Sequence, residues 1–132
     1  LRKIAFADPA QRLRLEAILH PRIRERAIAL TEQAKTPYCV LVIPLLAETA
    51  RDYPLDRILV IDTPVETQRQ RVKARDRLSD SEIGTVLKTQ ASREERLLIA
   101  DDVITNDGGL EALKKNVARL HQLYLKLALK GL

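Results

Sequence analysis

Aromatic side chains are almost absent from this chain: one Phe, three Tyr and no Trp in 132 residues. Readers of single-stranded nucleic acid stack bases on aromatic platforms, and Phe6, Tyr38, Tyr53 and Tyr124 are too few and too scattered for that. Cysteine is limited to Cys39, which excludes an internal disulfide framework and any Cys-rich metal site and sets the expectation of a reducing, cytoplasmic location. The two histidines, His20 and His121, lie far from each other and from Cys39, so neither a zinc pattern nor a Cys–His nucleophile is present. Glycine occurs only at positions 84, 108, 109 and 131. No GxxxxGK[ST] or GxGxxG can be built from them, so these residues hold no self-sufficient backbone cradle for a nucleotide. Long hydrophobic runs are missing too. The longest, Tyr38 to Ala47, is interrupted by Pro44 and is too short to span a bilayer. The opening LRKIAFADPAQRLRL has no apolar core of the kind a secretory signal carries. No membrane partner is expected.

What is present is ordinary for a globular domain: 45% hydrophobic and 31% charged residues, enough to bury a core and too apolar for a disordered chain. Lys and Arg exceed Asp and Glu by five, with a pI near 9.6, which favours an anionic partner. The bases interleave with acids instead of forming a block, so no nucleic-acid partner is expected.

Two periodicities alternate. Asp8-Pro9 is a helix start, followed by Leu15, Ile18 and Leu19 at helical spacing. Pro21 is expected to restart a second helix reaching about Ala34, with Ile23, Ala27, Ile28 and Leu30 inward. The runs YCVLVI (38–43) and RILVID (57–62) read as strands buried on both faces, and DVIT (102–105) as a weaker third. Pro64 opens a helix to about Arg75. Ser79 with Glu82, and Ser92 with Glu95, carry the S-x-x-E capping signature. Leu110, Leu113, Val117, Leu120, Tyr124 and Leu127 stripe a last helix that Gly131 ends. The predicted class is α/β, with about three parallel strands, few for a sheet covered on both faces.

Segment 68–77, QRQRVKARDR, places Gln68, Arg71 and Arg75 on one helix face and Arg69 and Lys73 on another. Spacing alone fits either a solvated basic face or a guanidinium clamp on phosphate. Arg93 and Arg96 extend the second reading, or else decorate a helix beside Glu94 and Glu95. Asn106-Asp107-Gly108-Gly109 follows a strand's carboxyl end, where ligands bind in open α/β sheets, and is also an ordinary turn. Asp101-Asp102 is a weak metal candidate, because adjacent strand residues face opposite ways. His20, before Pro21, reads more readily as a packing residue than as a catalyst.

FADPAQRLRLEAILHPRI, VLVIPLLAE, QRQRVKARD and QASREERLLIADDVITNDG, in this order and at these intervals, resemble the dephospho-coenzyme A kinases. The combination of ILHP, PLL-x-E and Q-x2-R-x3-RD carries the likeness, which runs from about Phe6 to Tyr124. It implies a P-loop small-molecule kinase with a helical substrate region and a lid, using ATP and Mg2+ to phosphorylate the ribose 3′-hydroxyl of dephospho-CoA. By position it implies a substrate region at 1–37, core strands and helix at 38–75, a lid at 76–100, and a last strand and helix at 101–132. The implied acceptor-side residues are Phe6, His20, Pro21, Pro44, Leu45, Leu46 and Glu48. The implied ATP and lid residues are Arg71, Arg75, Gln90, Arg93, Arg96 and Asn106, with Arg75 as the catalytic arginine. No metal ligand is implied within this chain: the phosphate loop, the Mg2+ ligands and the proposed general base are expected upstream of Leu1, which makes these residues a C-terminal portion, inactive alone. Another P-loop kinase, such as one for nucleoside monophosphates, or a non-catalytic anion- or nucleic-acid-binding module, are the alternative readings.

Overall fold

A computed structural model describes residues 8–44, 46–49, 53–76, 79–88 and 90–131. The chain forms two units, one of residues 1–41 with 52–54 and one of residues 42–51 with 55–132.

The first unit is dominated by α1, Pro9–Glu32. Asp8 caps it from an extended conformation: its carboxylate accepts the Ala10 N–H at 2.9 Å and the Gln11 N–H at 3.3 Å. These are donors that no helical carbonyl can reach, and Pro9 in the first turn sacrifices none. The expected break at Pro21 does not occur, and one helix runs through it. Pro21 lacks only the N–H that would bond the Ala17 carbonyl. The flanking Leu, Arg, Glu and Ala residues are strong helix formers with no glycine or turn former between them, so the ladder resumes on both sides. Of the expected inward stripe, Ala27 and Ile28 are half-buried, whereas Ile23 and Leu30 are exposed.

In the second unit, α2 (Leu46–Thr49) precedes β1 (Leu59–Asp62), α3 (Val65–Asp76), α4 (Asp80–Lys88), α5 (Arg93–Leu98), β2 (Asp102–Thr105) and α6 (Leu110–Leu129). β1 and β2 pair in parallel, Leu59 opposite Asp102 and Asp62 opposite Thr105. A parallel pair needs a long crossover, and α3, α4 and α5 supply it. Run 38–43 is not a strand, contrary to its composition. Among the described residues the sheet has two strands rather than three, and Val40 and Val42 are 66% and 88% exposed. An apolar β-branched run becomes a strand only when a neighbouring strand pairs with its backbone, and among the described residues the run belongs to no sheet.

Both capping boxes form. Ser79 N–H donates to Glu82 Oε2 at 2.8 Å, and the Glu82 N–H returns to Ser79 Oγ at 3.3 Å. Ser92 and Glu95 repeat the exchange at 2.7 and 3.1 Å. Each box satisfies amide donors locally, which is why these helices start where they do. α6 ends at Gly131, whose φ of +71° lies in the left-handed region that glycine alone enters without penalty. Ile83 on α4, Ile104 on β2 and Leu120 on α6 are the fully buried apolar residues of the described chain.

The amino ends of the strands are closed by a polar clamp. Arg57 Nε donates to Asp102 Oδ2 at 2.8 Å, the Tyr124 hydroxyl donates to the same oxygen at 3.0 Å, and the Ile58 N–H donates to Asp101 Oδ2 at 2.7 Å. Asp101-Asp102 therefore bolts β2 to β1 and to α6. The Asp102 carboxyl is held below the usual carboxylate range, first by the Arg57 hydrogen bond.

Candidate functional site

The carboxyl ends of the two strands carry a different set of contacts. Asn106 N–H donates to the Asp62 carbonyl at 2.7 Å, extending the ladder one residue past β2. The Asn106 carbonyl then accepts twice, from Thr63 Oγ1 at 3.3 Å and from Arg71 Nη1 at 2.8 Å. Arg71 stands in the middle of α3, so the helix face holding Gln68, Arg71 and Arg75 turns toward the strand ends at Arg71. The opposite face goes elsewhere: Lys73 Nζ pairs with the Asp80 carboxylate at 3.0 Å, and Arg69 Nη2 reaches the Asp80 carbonyl at 3.5 Å. Those two residues join α3 to α4.

The centre of the cluster is an ion pair. Arg93 grips Asp62 with two parallel bonds, Nε to Oδ1 at 2.8 Å and Nη2 to Oδ2 at 2.7 Å. Asp62 is 4% exposed, whereas the Arg93 side chain is 40% exposed. Arg93 is the first residue of α5, and the Ser92–Glu95 box fixes the turn that aims it. The arginine hydrogen bonds hold the Asp62 carboxyl below the usual carboxylate range, aided by the charges of Arg93 and Arg96 and opposed by burial. Leaving a buried carboxylate without its partner is costly, although water reaching the half-exposed guanidinium reduces that cost below the value for a fully buried pair.

That lowered carboxyl has a consequence in acid. The unfolded chain takes up the proton first, near pH 3.9 or about there, so the stabilisation is complete above that value and is lost as the pH falls toward the lower folded-state value. Urea midpoints at about pH 6 and about pH 3 should therefore differ more for the wild type than for Asp62→Asn, and equal acid slopes would contradict the linkage.

The structure brings Arg71, Arg93, Arg96 and Asn106 to these strand ends. Arg96 Nη1 donates to the Ala91 carbonyl at 2.6 Å and lends its charge to Asp62. Among the described contacts Arg93 bonds Asp62 and Arg96 bonds Ala91, while the Glu94 charge acts on Arg93 from beside it. Arg75 is not drawn into the cluster: 75% exposed, it bonds its neighbour Asp76 at 2.7 and 2.8 Å. Gln90 is exposed in the turn before α5. Pro44 is exposed, Leu46 is half-buried in α2, and Glu48 is in α2. His20 and Pro21 are exposed on α1, in the other unit. Phe6 and Leu45 lie outside the described residues. Sequence reasoning missed Asp62 and Thr63. The available signal was an acidic residue ending an otherwise apolar strand, a place where an unpaired charge is not tolerated.

Among the described residues no three His, Cys, Asp or Glu side chains gather as a metal site, and both Asp62 oxygens are engaged by Arg93. No residue is therefore assigned to Mg2+. No described helix is long and apolar enough to cross a membrane.

A parallel pair of strands with arginine-bearing helices converging on its carboxyl ends defines an α/β protein whose ligand site lies at those ends. The comparisons are specific: the dephospho-CoA kinase family model matches residues 1–112, and the chain belongs to that family. The dephospho-CoA kinase of Thiobacillus denitrificans is 52% identical over 97% of this chain and 64% of its own length. That of Coxiella burnetii is 47% identical over 97% and 65%, respectively. The chain thus spans about two thirds of the relatives it matches, at 64% of the first. The crystal structure of TT1252 from Thermus thermophilus matches with a TM-score of 0.75 and 31% identity, covering 91% of this chain and 63% of that one.

Proposed function

We propose that these residues form the acceptor, lid and adenine-side parts of an ATP-dependent kinase that phosphorylates the ribose 3′-hydroxyl of dephospho-CoA, giving coenzyme A. The observation that carries this reading is the contact chain Arg93–Asp62–Asn106–Arg71 in a member of this family. In-line phosphoryl transfer is mostly positioning and neutralisation of charge on the equatorial oxygens, and guanidinium groups supply both. The acceptor oxygen bonds to the γ-phosphorus, the bond to the β,γ-bridging oxygen breaks to release ADP, and the hydroxyl proton passes to solvent. In this reading Arg71, Arg93 and Arg96 bind ATP phosphates with Gln90 on the lid, Asn106 lies beside the adenine, and Arg75 acts on the transferring group. Phe6, His20, Pro21, Pro44, Leu45, Leu46 and Glu48 serve the acceptor. The divisions 1–37, 38–75, 76–100 and 101–132 then correspond to acceptor region, core, lid and closing strand with helix. Mg2+ travels with the nucleotide, the setting is the cytoplasm, and neither nucleic acid nor membrane is a partner.

The test uses the complete gene product that carries this sequence, incubated with ATP, Mg2+ and either dephospho-CoA or a nucleoside monophosphate. The expected product is CoA with its new phosphate on the 3′-oxygen, identified by mass and 31P NMR. Preferential formation of a nucleoside diphosphate would move the reading to the other kinase class.

A further inference from the structure

The buried carboxylate at the end of β1 belongs to none of the roles above. We propose that Asp62 is a positioning residue for the nucleotide: it holds Arg93 from behind, so that the outer N–H edge of the guanidinium faces the phosphates. This rests on the reading of Arg93 as a phosphate ligand.

A guanidinium has five N–H donors in a rigid plane. The fork to Asp62 takes Nε and one Nη2 hydrogen, which leaves Nη1 and the second Nη2 hydrogen on the outer edge. The exposures agree with that division, since the carboxylate is 4% exposed and the arginine 40%. The support behind the arginine is rigid. Asp62 is the last residue of β1, opposite Thr105 in the ladder, and its carbonyl is tied to the Asn106 N–H at 2.7 Å. Charge points the same way. Arg71, Arg93 and Arg96 stand here against the Asp62 carboxylate and Glu94, whose charge also acts on Arg93, so the cluster retains a net positive charge, which suits a polyanion. A latch, in which Arg93 leaves Asp62 to meet ATP, would leave the buried carboxylate with the Thr63 backbone N–H and the charge of Arg96 but without its bidentate partner. A fixed mount avoids that cost, because the arginine keeps its partner and offers its free edge.

Steady-state kinetics of the complete gene product test this with Asp62→Asn, Arg93→Ala and the double variant, each checked by thermal melting. Asp62→Asn keeps the shape of the side chain but removes the charge and one half of the fork. It should raise KM for ATP about 10- to 100-fold, with KM for dephospho-CoA nearly unchanged, as expected for a misaimed ligand. In the Arg93→Ala background the same substitution should add nothing to KM for ATP, because Asp62 acts through Arg93. If Arg93→Ala raises KM for ATP and Asp62→Asn does not, the mount is wrong while the phosphate reading stands. If Asp62→Asn adds its full effect to Arg93→Ala, the positioning role is likewise overturned. If Arg93→Ala leaves KM for ATP unchanged, the phosphate reading of Arg93 fails and the mount fails with it. Should Asp62→Asn not fold, Asp62→Glu carries the test, since the extra methylene keeps the charge but displaces the fork. Its expected result is the same rise in KM for ATP, absent in the Arg93→Ala background, and a wild-type value overturns the proposal.

Discussion

Replacing Arg75 by alanine in the complete gene product is expected to lower kcat by about 30- to 1,000-fold, a larger change than in KM for either substrate. The contrast with Arg93 motivates this. Arg93 is fixed on a buried carboxylate, whereas Arg75 stands in the last turn of α3 with a side chain 75% exposed and its neighbour Asp76 as its described partner. An exposed pair of adjacent residues is weak and screened, so a triphosphate competes with it readily. An exposed arginine that meets charge only as it redistributes stabilises the transition state more than the ground state, which places its loss in kcat. Arg75→Lys should recover little, because an ammonium does not reproduce the bidentate fork. The matched control is Lys114→Ala on the exposed face of α6, where the only described partner is Glu111 at 2.7 Å. Arg69, on the face of α3 away from Arg71, is a poorer control because its guanidinium meets the Asp80 carbonyl. Wild-type kcat in Arg75→Ala would remove it from the chemistry.

The 132 residues taken alone should form no CoA from ATP, Mg2+ and dephospho-CoA. Glycines 84, 108, 109 and 131 cannot supply the loop of backbone N–H groups and the lysine that hold the β- and γ-phosphates in P-loop kinases. Losing one preorganised donor costs 10²–10³ in rate, so losing a loop of them should cost about 10⁴-fold or more, beyond detection. Light scattering should show self-association of the same sample. The two strands found among the described residues leave both edges of the pair open, and Leu98 and Leu129 are 87% and 85% exposed. Robust turnover by the isolated chain would overturn the first expectation, and a monodisperse monomer the second.

The sequence was most legible where structure is local. The Asp8 cap, the two capping boxes and the helix after Pro64 each depend on residues within a turn of one another, and all are present, whereas of the stripe on the last helix Leu120 is buried but Leu110 and Val117 are exposed. Strand RILVID shortened to Leu59–Asp62, because the Arg57 side chain and the Ile58 backbone are taken by Asp101 and Asp102, over forty residues on. Run 38–43 had strand composition but no described pairing partner, and pairing is not a property of the run itself. Pro21 had the chemistry of a break, and the helix formers around it outweighed that. At the site, arginine spacing showed which residues could meet phosphate. It did not show that Arg93 would find Asp62, 31 positions away, or that Arg71 would find the Asn106 carbonyl, 35 away. Such pairings are made by the crossover that brings α3 and α5 to the same strand ends.

The most direct measurement follows the arginine Nε–Hε resonances of the complete gene product while a non-hydrolysable ATP analogue is titrated in. Arg93 and Arg71 stand at the carboxyl ends of β1 and β2, and Arg57 stands at the amino ends, about 13 Å away for a four-residue strand. The predicted result is a saturable shift at Arg93 and Arg71, with Arg57 unmoved as it remains on Asp102. A saturable shift at Arg57 with none at Arg93 or Arg71 would contradict the assignment of the strand carboxyl ends as the nucleotide site.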